Sequence, residues 1–231
     1  MYNSLTRVQN VFGFFTTVAF VVAAIIAASD FLAPRTPSAV IKPTNVQVVK
    51  GRPHYYSTKK EEYAIIKFSL DADLSSLFTW NTKQLFVYVT AEWPDQTSAN
   101  QTNKAVIWDS IITSPSADHL SNLGPASLKK LRKSAAGKSI DPSRGILSLK
   151  NQKPKYQITH PSGRIAEADE VTLRVHYNVQ PWVGVLTWNQ DDTDLWRWKR
   201  MAGGASEAFS LPALKQKKDE GTKSKSKSKK A

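Results

Sequence analysis

Residues 62–93 read EYAIIKFSLDADLSSLFTWNTKQLFVYVTAEW, two alternating runs on either side of a short break. In the first run Ala64, Ile66, Phe68 and Leu70 fall on one face, with Lys67 and Ser69 opposite. That is the period of two expected of a half-buried strand. In the second run Leu85, Val87, Val89 and Ala91 oppose Phe86, Tyr88 and Thr90. The intervening DADLSSLFTWN loses the alternation and reads as a bridge holding one helical turn, with Asp71 and Asp73 as turn residues that end the first strand.

The same signal recurs outward from this unit. NVQVVK (45–50), KAVIWDSII (104–112), ILSL (146–149) and KYQIT (155–159) are short strand candidates. EVTLRVHYNVQ (170–180) sets Val171, Leu173, Val175, Tyr177 and Val179 against Thr172, Arg174 and His176. WVGVLTW (182–188) and DLWRWKR (194–200) follow, with a turn at 189–193. Many short strands with turn signals between them and little helix predict an all-β sandwich, spanning 32–212. Pro34, Pro37 and Pro43 predict an extended spacer over 32–44, ahead of the first strand.

The N-terminus has a different composition. Residues 8–29, VQNVFGFFTTVAFVVAAIIAAS, carry no charge. As a helix this run spans about 33 Å, the thickness of a bilayer's hydrocarbon layer. Val, Ile and Phe suit a helix in lipid better than one in water. Ala27 and Ser29 would serve a signal-peptide cleavage site, but the apolar stretch 11–28 exceeds the roughly 7–15 residues of a usual signal-peptide core. The expectation is a cytosolic segment at 1–10 and an uncleaved signal-anchor helix at 11–31. Arg7 and the α-amine precede the span, while Asp30 and Arg35 follow it. This slight bias places the N-terminus in the cytosol and the sandwich in the lumen, a single-pass type II arrangement. Asn100-Gln101-Thr102 lies in the polar stretch DQTSANQTNK, making Asn100 a candidate glycosylation site on that side.

The net charge of +13 is localised. Ten Lys/Arg against two acids in 115–164, and eight Lys against two acids from Lys215 onward, account for slightly more than the whole surplus. The basicity thus belongs to an insertion around 115–160 and to a low-complexity tail at 213–231, predicted to be disordered, while the strand-forming remainder is near neutral. The insertion is expected to form a short basic helix after Pro125. The tail has no interleaved aromatics and reads as solvated, so no nucleic-acid partner is expected.

Catalytic patterns are scarce. With no cysteine, thiolate metal sites and a Cys nucleophile are excluded. His54, His119, His160 and His176 show no metal-ligand spacing, and His176 reads as surface or partner-facing. AAGKS (135–139) resembles the end of a phosphate-binding loop, but Arg132 stands where its first glycine belongs. No GxSxG occurs, and Asp71, Asp73 and Asp109 form no recognisable pair. A Ser–Lys pair assembled by the fold would leave no signature of spacing. No catalytic, cofactor or metal residues are assigned.

Phe78-x-Trp80-Asn81-x-Lys83-Gln84-Leu85-Phe86-x-Tyr88, followed by Ala91-Glu92, by Ile107-Trp108-Asp109 and by VTLRVHYNVQP (171–181), resembles the family of subunit 3 of the eukaryotic signal peptidase complex. The likeness covers 1–112 and 165–212. It implies a non-catalytic, structural subunit of the endoplasmic-reticulum membrane enzyme that cleaves signal peptides during translocation. Its implied partners are the catalytic and other accessory subunits, the lipid bilayer and, indirectly, nascent chains bearing signal peptides. Phe78, Trp80, Asn81, Lys83, Gln84, Leu85, Phe86, Tyr88 and Trp108 become structural motif residues. The alternative is a membrane-tethered lumenal or extracellular β-sandwich that serves as a binding module.

Overall fold

The structure, a computed structural model, describes residues 3–95, 101–114, 142–189 and 201–214. One helix, α1, runs Ser4–Leu32, longer at both ends than the predicted span. Its most apolar window has a mean hydropathy of 2.5 and is not buried by the rest of the chain. The hydroxyls of Thr16 and Thr17 both donate to the Gly13 carbonyl, and that of Ser29 to Ile26, so these polar groups are satisfied within the helix.

Among the described residues, eight strands form two four-stranded sheets. β1 (Ser38–Gly51), β2 (Glu61–Asp73), β5 (Ile146–Gln152) and β8 (Ala202–Gly203) make the first, in the order β5-β2-β1-β8. β3 (Thr82–Pro94), β4 (Thr102–Thr113), β6 (Thr172–Pro181) and β7 (Thr187–Trp188) make the second, in the order β4-β3-β6-β7. All pairings are antiparallel except β1 with β8. The faces predicted from alternation are the faces buried: Ala64, Ile66, Phe68 and Leu70 from β2, Leu85, Val87, Val89 and Ala91 from β3, and Leu173, Val175, Tyr177 and Val179 from β6. Phe68 and Trp108 meet edge-to-face between the sheets, with ring centroids 6.0 Å apart. Burial pushes the Tyr177 hydroxyl up to about 12. The bridge at 71–81 contains the expected single turn, a 3-10 helix at Ser75–Leu77, started by Asp73 accepting from the Ser75 amide at 3.0 Å and its hydroxyl at 2.6 Å.

Three local readings change. The proline spacer is short: only residues 33–37 separate α1 from β1, and Pro43 lies inside the strand opposite Phe68. A register shift between Pro43 and Asn45 explains this, because a bulge accommodates a residue without an amide hydrogen. The same shift moves the buried phase from Ala39 and Ile41 to Val48. Of KYQIT, only Ile158 bridges to Ala64. Of WVGVLTW, only Thr187 and Trp188 pair as strand, because the preceding residues are held by a loop rather than a neighbouring strand. Asn100, residues 115–141 of the insertion expected around 115–160 (with its expected basic helix), the 190–200 segment and the tail from 215 lie outside the described residues, while the rest of that insertion supplies β5 to the first sheet.

Phe68 has no exposed surface, so Phe68→Ala should cost about 3–5 kcal/mol, whereas Val40→Ala on the exposed face of β1 should change stability by less than about 1 kcal/mol. Thermal unfolding of the full chain in detergent micelles, followed by near-ultraviolet circular dichroism, checks the contrast.

Candidate functional site

A densely bonded polar cluster sits where the helix meets the sandwich. Asp30, in the last turn of α1, and Arg35, in the strap that follows, are both almost wholly buried. One guanidinium nitrogen of Arg35, Nη2, donates to both Asp30 oxygens at 2.9 Å. The other, Nη1, donates to the Thr187 hydroxyl at 2.9 Å. Thr79 donates its hydroxyl to Asp30 Oδ1 at 3.0 Å. Helix, strap, the 77–82 loop and β7 are thereby joined through a single ion pair.

The two loops also clasp each other. Asn81 donates its amide to the Val183 carbonyl at 2.7 Å, and its carbonyl accepts from the Val183 amide at 3.1 Å. The Trp182 amide donates to the Asn81 backbone carbonyl at 2.8 Å. Beyond this clasp Gly184 turns with φ +129°, and a side chain there would meet Ala27 of the helix at 3.4 Å. The backbone angle is what favours glycine, since a side chain there would make only ordinary van der Waals contact with the helix.

The motif residues divide between this joint and the sheet behind it. Trp80 is exposed beside the joint, Asn81 forms the clasp, and Lys83 Nζ lies 5.3 Å from the Trp182 ring centroid. Phe78 packs against the core that contains Leu85 and Trp108. Gln84 donates its side-chain amide to Gln180 across β3 and β6. Phe86 stacks on Tyr88 at 5.4 Å, and Tyr88 on His176 at 5.0 Å.

His176 departs from its surface reading: it is buried. Its Nε2 lies 3.0 Å from the Thr90 hydroxyl, Tyr88 covers its ring, and the nearest Glu92 oxygen is 3.8 Å away. Lys104 reaches the Glu92 carboxylate at 2.7 Å and Arg174 at 3.0 Å. The His176 ring, aided by these two cations and opposed by burial, holds the Glu92 carboxyl down to about 2.

The acids weighed as catalytic candidates have structural partners. Asp71 accepts from Ser148 at 2.7 Å, Asp73 caps the 3-10 turn, and Asp109 pairs with Lys155 at 3.2 Å. His160 approaches Ser162 at 2.7 Å and Asp95 at 3.3 Å, but the Ser162 amide also donates to the same ring nitrogen at 3.1 Å. The group closes a turn whose Gly163 amide donates to the His160 carbonyl. What the joint can do is orient and fasten. Sequence reasoning saw Asp30 and Arg35 only as topology charges and did not single out Thr79 or Thr187. Two opposite charges five residues apart, just after an apolar run, were the available signal.

Comparison with known proteins agrees with the resemblance carried by the 78–88 block. A family model described as "Signal peptidase subunit" matches residues 1–128 and 140–196. The chain is 31% identical over 201 residues to signal peptidase complex subunit 3 of Debaryomyces hansenii, covering 83% of this chain and 90% of that one. The Saccharomyces cerevisiae protein of the same name is 29% identical, covering 82% and 92%. That of Caenorhabditis briggsae is 27% identical, covering 84% and 92%.

Two outcomes follow from the geometry. Arg35→Ala, which strands a buried carboxylate, should cost about 3–5 kcal/mol, whereas Asp30→Ala/Arg35→Ala together should cost less than the sum of the single changes in a chemical-unfolding cycle. Glu92 has a folded value of about 2 against its ordinary 4.5, so its stabilisation is present above 4.5 and is lost as pH falls toward 2. The stability gap between the native chain and Glu92→Gln should therefore be constant near neutrality and shrink between those limits in pH-dependent melts.

Proposed function

The chain belongs to the signal peptidase subunit family, and from that premise we propose that it is a non-catalytic, structural subunit of the endoplasmic-reticulum complex that cleaves signal peptides from nascent secretory and membrane proteins. The helix Ser4–Leu32 spans the bilayer once as a signal anchor, with the short N-terminus in the cytosol and the sandwich in the lumen. The family match over most of the chain carries this reading. The exposed apolar helix and the slight charge bias across it support the membrane placement and its direction. Asn100 is the proposed glycan acceptor, facing the lumen.

The physical role is positional. A domain anchored by a span and held to it by a buried ion pair is confined to a thin layer at the membrane, where a second anchored subunit meets it at high effective concentration. The catalytic subunit has two exposed apolar groups available on the outer face of the second sheet, Ile111 on β4 and Trp188 on β7, the latter edge-on to Tyr88 at 6.5 Å. Aromatic side chains of this sort supply much of the binding energy at protein interfaces. The 78–88 motif acts in this scheme by building the joint and the sheet that carries that face, with no part in bond cleavage.

Detergent extracts of cells expressing the tagged chain should yield a serine-protease subunit in stoichiometric amount, and Ile111→Ser/Trp188→Ala should reduce that recovery several-fold without lowering the chain's own abundance. Depletion of the chain should leave secretory precursors uncleaved. Recovery as a lone monomer, or normal processing in its absence, overturns the assignment. In sealed microsomes a tag after Ala231 should resist added protease, and endoglycosidase should increase mobility unless Asn100→Gln is present.

A further inference from the structure

The loop at 182–186 does not sit on top of the helix end; it runs down the helix flank. Gly184 packs against Ala27, five residues before the end of α1 at Leu32, or about 7–8 Å back along the axis at the helical rise per residue. On either side of that contact the loop presents apolar side chains outward, Val185 77% exposed and Leu186 51%, next to Trp182 at 39%. Trp80 is exposed on the partner loop that Asn81 fastens to this one. Large apolar residues this open to solvent are unfavourable in water unless something covers them.

The helix specifies the cover. Ala27 lies one residue before the end of the apolar stretch 11–28, so the depth at which Gly184 touches the helix is near that at which a membrane-spanning segment passes from hydrocarbon to headgroups. Indole rings prefer that boundary, and a lysine amine stacked on Trp182, as Lys83 is, can reach outward to phosphate while its stem stays among apolar groups. The charged pair that follows, Asp30 with Arg35, is almost wholly buried and hydrogen-bonded to Thr79 and Thr187. We propose that the 182–186 loop and Trp80 form a bilayer-seating surface in which Val185, Leu186 and both indoles enter the headgroup–acyl boundary, giving the sandwich a second membrane contact beside its helix. The proposal rests on α1 crossing a bilayer, but not on the direction of crossing or on the signal peptidase role.

The chain has no cysteine, so single-cysteine variants need no background changes. Nitroxide labels at Val185→Cys and Leu186→Cys, in the full chain reconstituted in phosphatidylcholine vesicles, report depth as the ratio of collisions with oxygen to collisions with a nickel chelate. Phe20→Cys in mid-helix gives the hydrocarbon reference, and Tyr55→Cys, 91% exposed on the distant β1–β2 hairpin, gives the water reference. Ratios at 185 and 186 should be several-fold above that at 55 and below that at 20. Values equal to that at 55 while 20 reports lipid overturn the seating surface and leave the span intact; a water-exposed label at 20 overturns both. Protection at 185 that appears only after the other complex subunits are added assigns the loop to a protein contact and overturns the proposal. The chain with its native side chains provides a readout that does not depend on labelling. Lipids brominated high on the acyl chain should quench part of the tryptophan emission, and Trp80→Phe/Trp182→Phe should remove most of that quenching; undiminished quenching counts against the proposal.

Discussion

Taking a carboxylate and a guanidinium out of water costs several kcal/mol per ion, and direct attraction offsets that only when the geometry is good and the remaining polar atoms are bonded. At the end of α1 the geometry is good and most of the polar atoms are bonded: Asp30 receives Arg35 through both oxygens as well as the Thr79 hydroxyl, and Arg35 also donates to Thr187, which leaves the buried Arg35 Nε as the one polar side-chain atom of the pair without a hydrogen-bond partner among the described residues. A well-packed apolar pair could have stabilised the same place as effectively. What the ion pair adds is direction, since it is satisfied only when helix, strap and both loops occupy one arrangement. A five-residue connection could otherwise swivel, and the sandwich would hang from the helix at no fixed angle.

The position of that joint follows from the register of the second sheet. Thr82 of β3 pairs with Pro181 of β6, so the segment entering β3 and the segment leaving β6 must emerge side by side at the same end. Asn81 is the next residue out on one, and Trp182 and Val183 are the next two on the other, which is why an asparagine reaches that backbone. The side chain has to donate to a carbonyl and accept from an amide of the same residue. Aspartate lacks the donor, leucine lacks both groups, and glutamine carries an extra methylene that would displace the pair. Thr187 then lies within reach of Arg35 because the loop turns back at Gly184 to start β7.

The strands and their buried faces were legible because period-two burial is a local property, and each run of β2, β3 and β6 holds its own alternation. The apolar helix was legible from composition. Sequence reading stopped where geometry becomes non-local. Arg35 and Thr187 are 152 positions apart, and nothing in the linear order joins them. Pro43 suggested a spacer because proline seldom occurs inside strands, and only the bulge beside it shows how β1 tolerates it. His176 lies on a strand's polar face, and alternation alone says it is exposed. It is buried because Tyr88 covers the ring and Thr90 and Glu92 lie at its edge, a consequence of cross-strand neighbours rather than of its own segment.

The 78–88 block shows how a string of residues can be specific without containing chemistry. Its members serve two mechanical needs that admit few substitutes: a clasp that must donate and accept at one peptide, and a core strand whose inward side chains meet Trp108 and the first sheet. Both needs concern where the sandwich stands relative to the helix. Under the proposed role, that attitude sets the height at which the domain presents its outer face to an anchored neighbour.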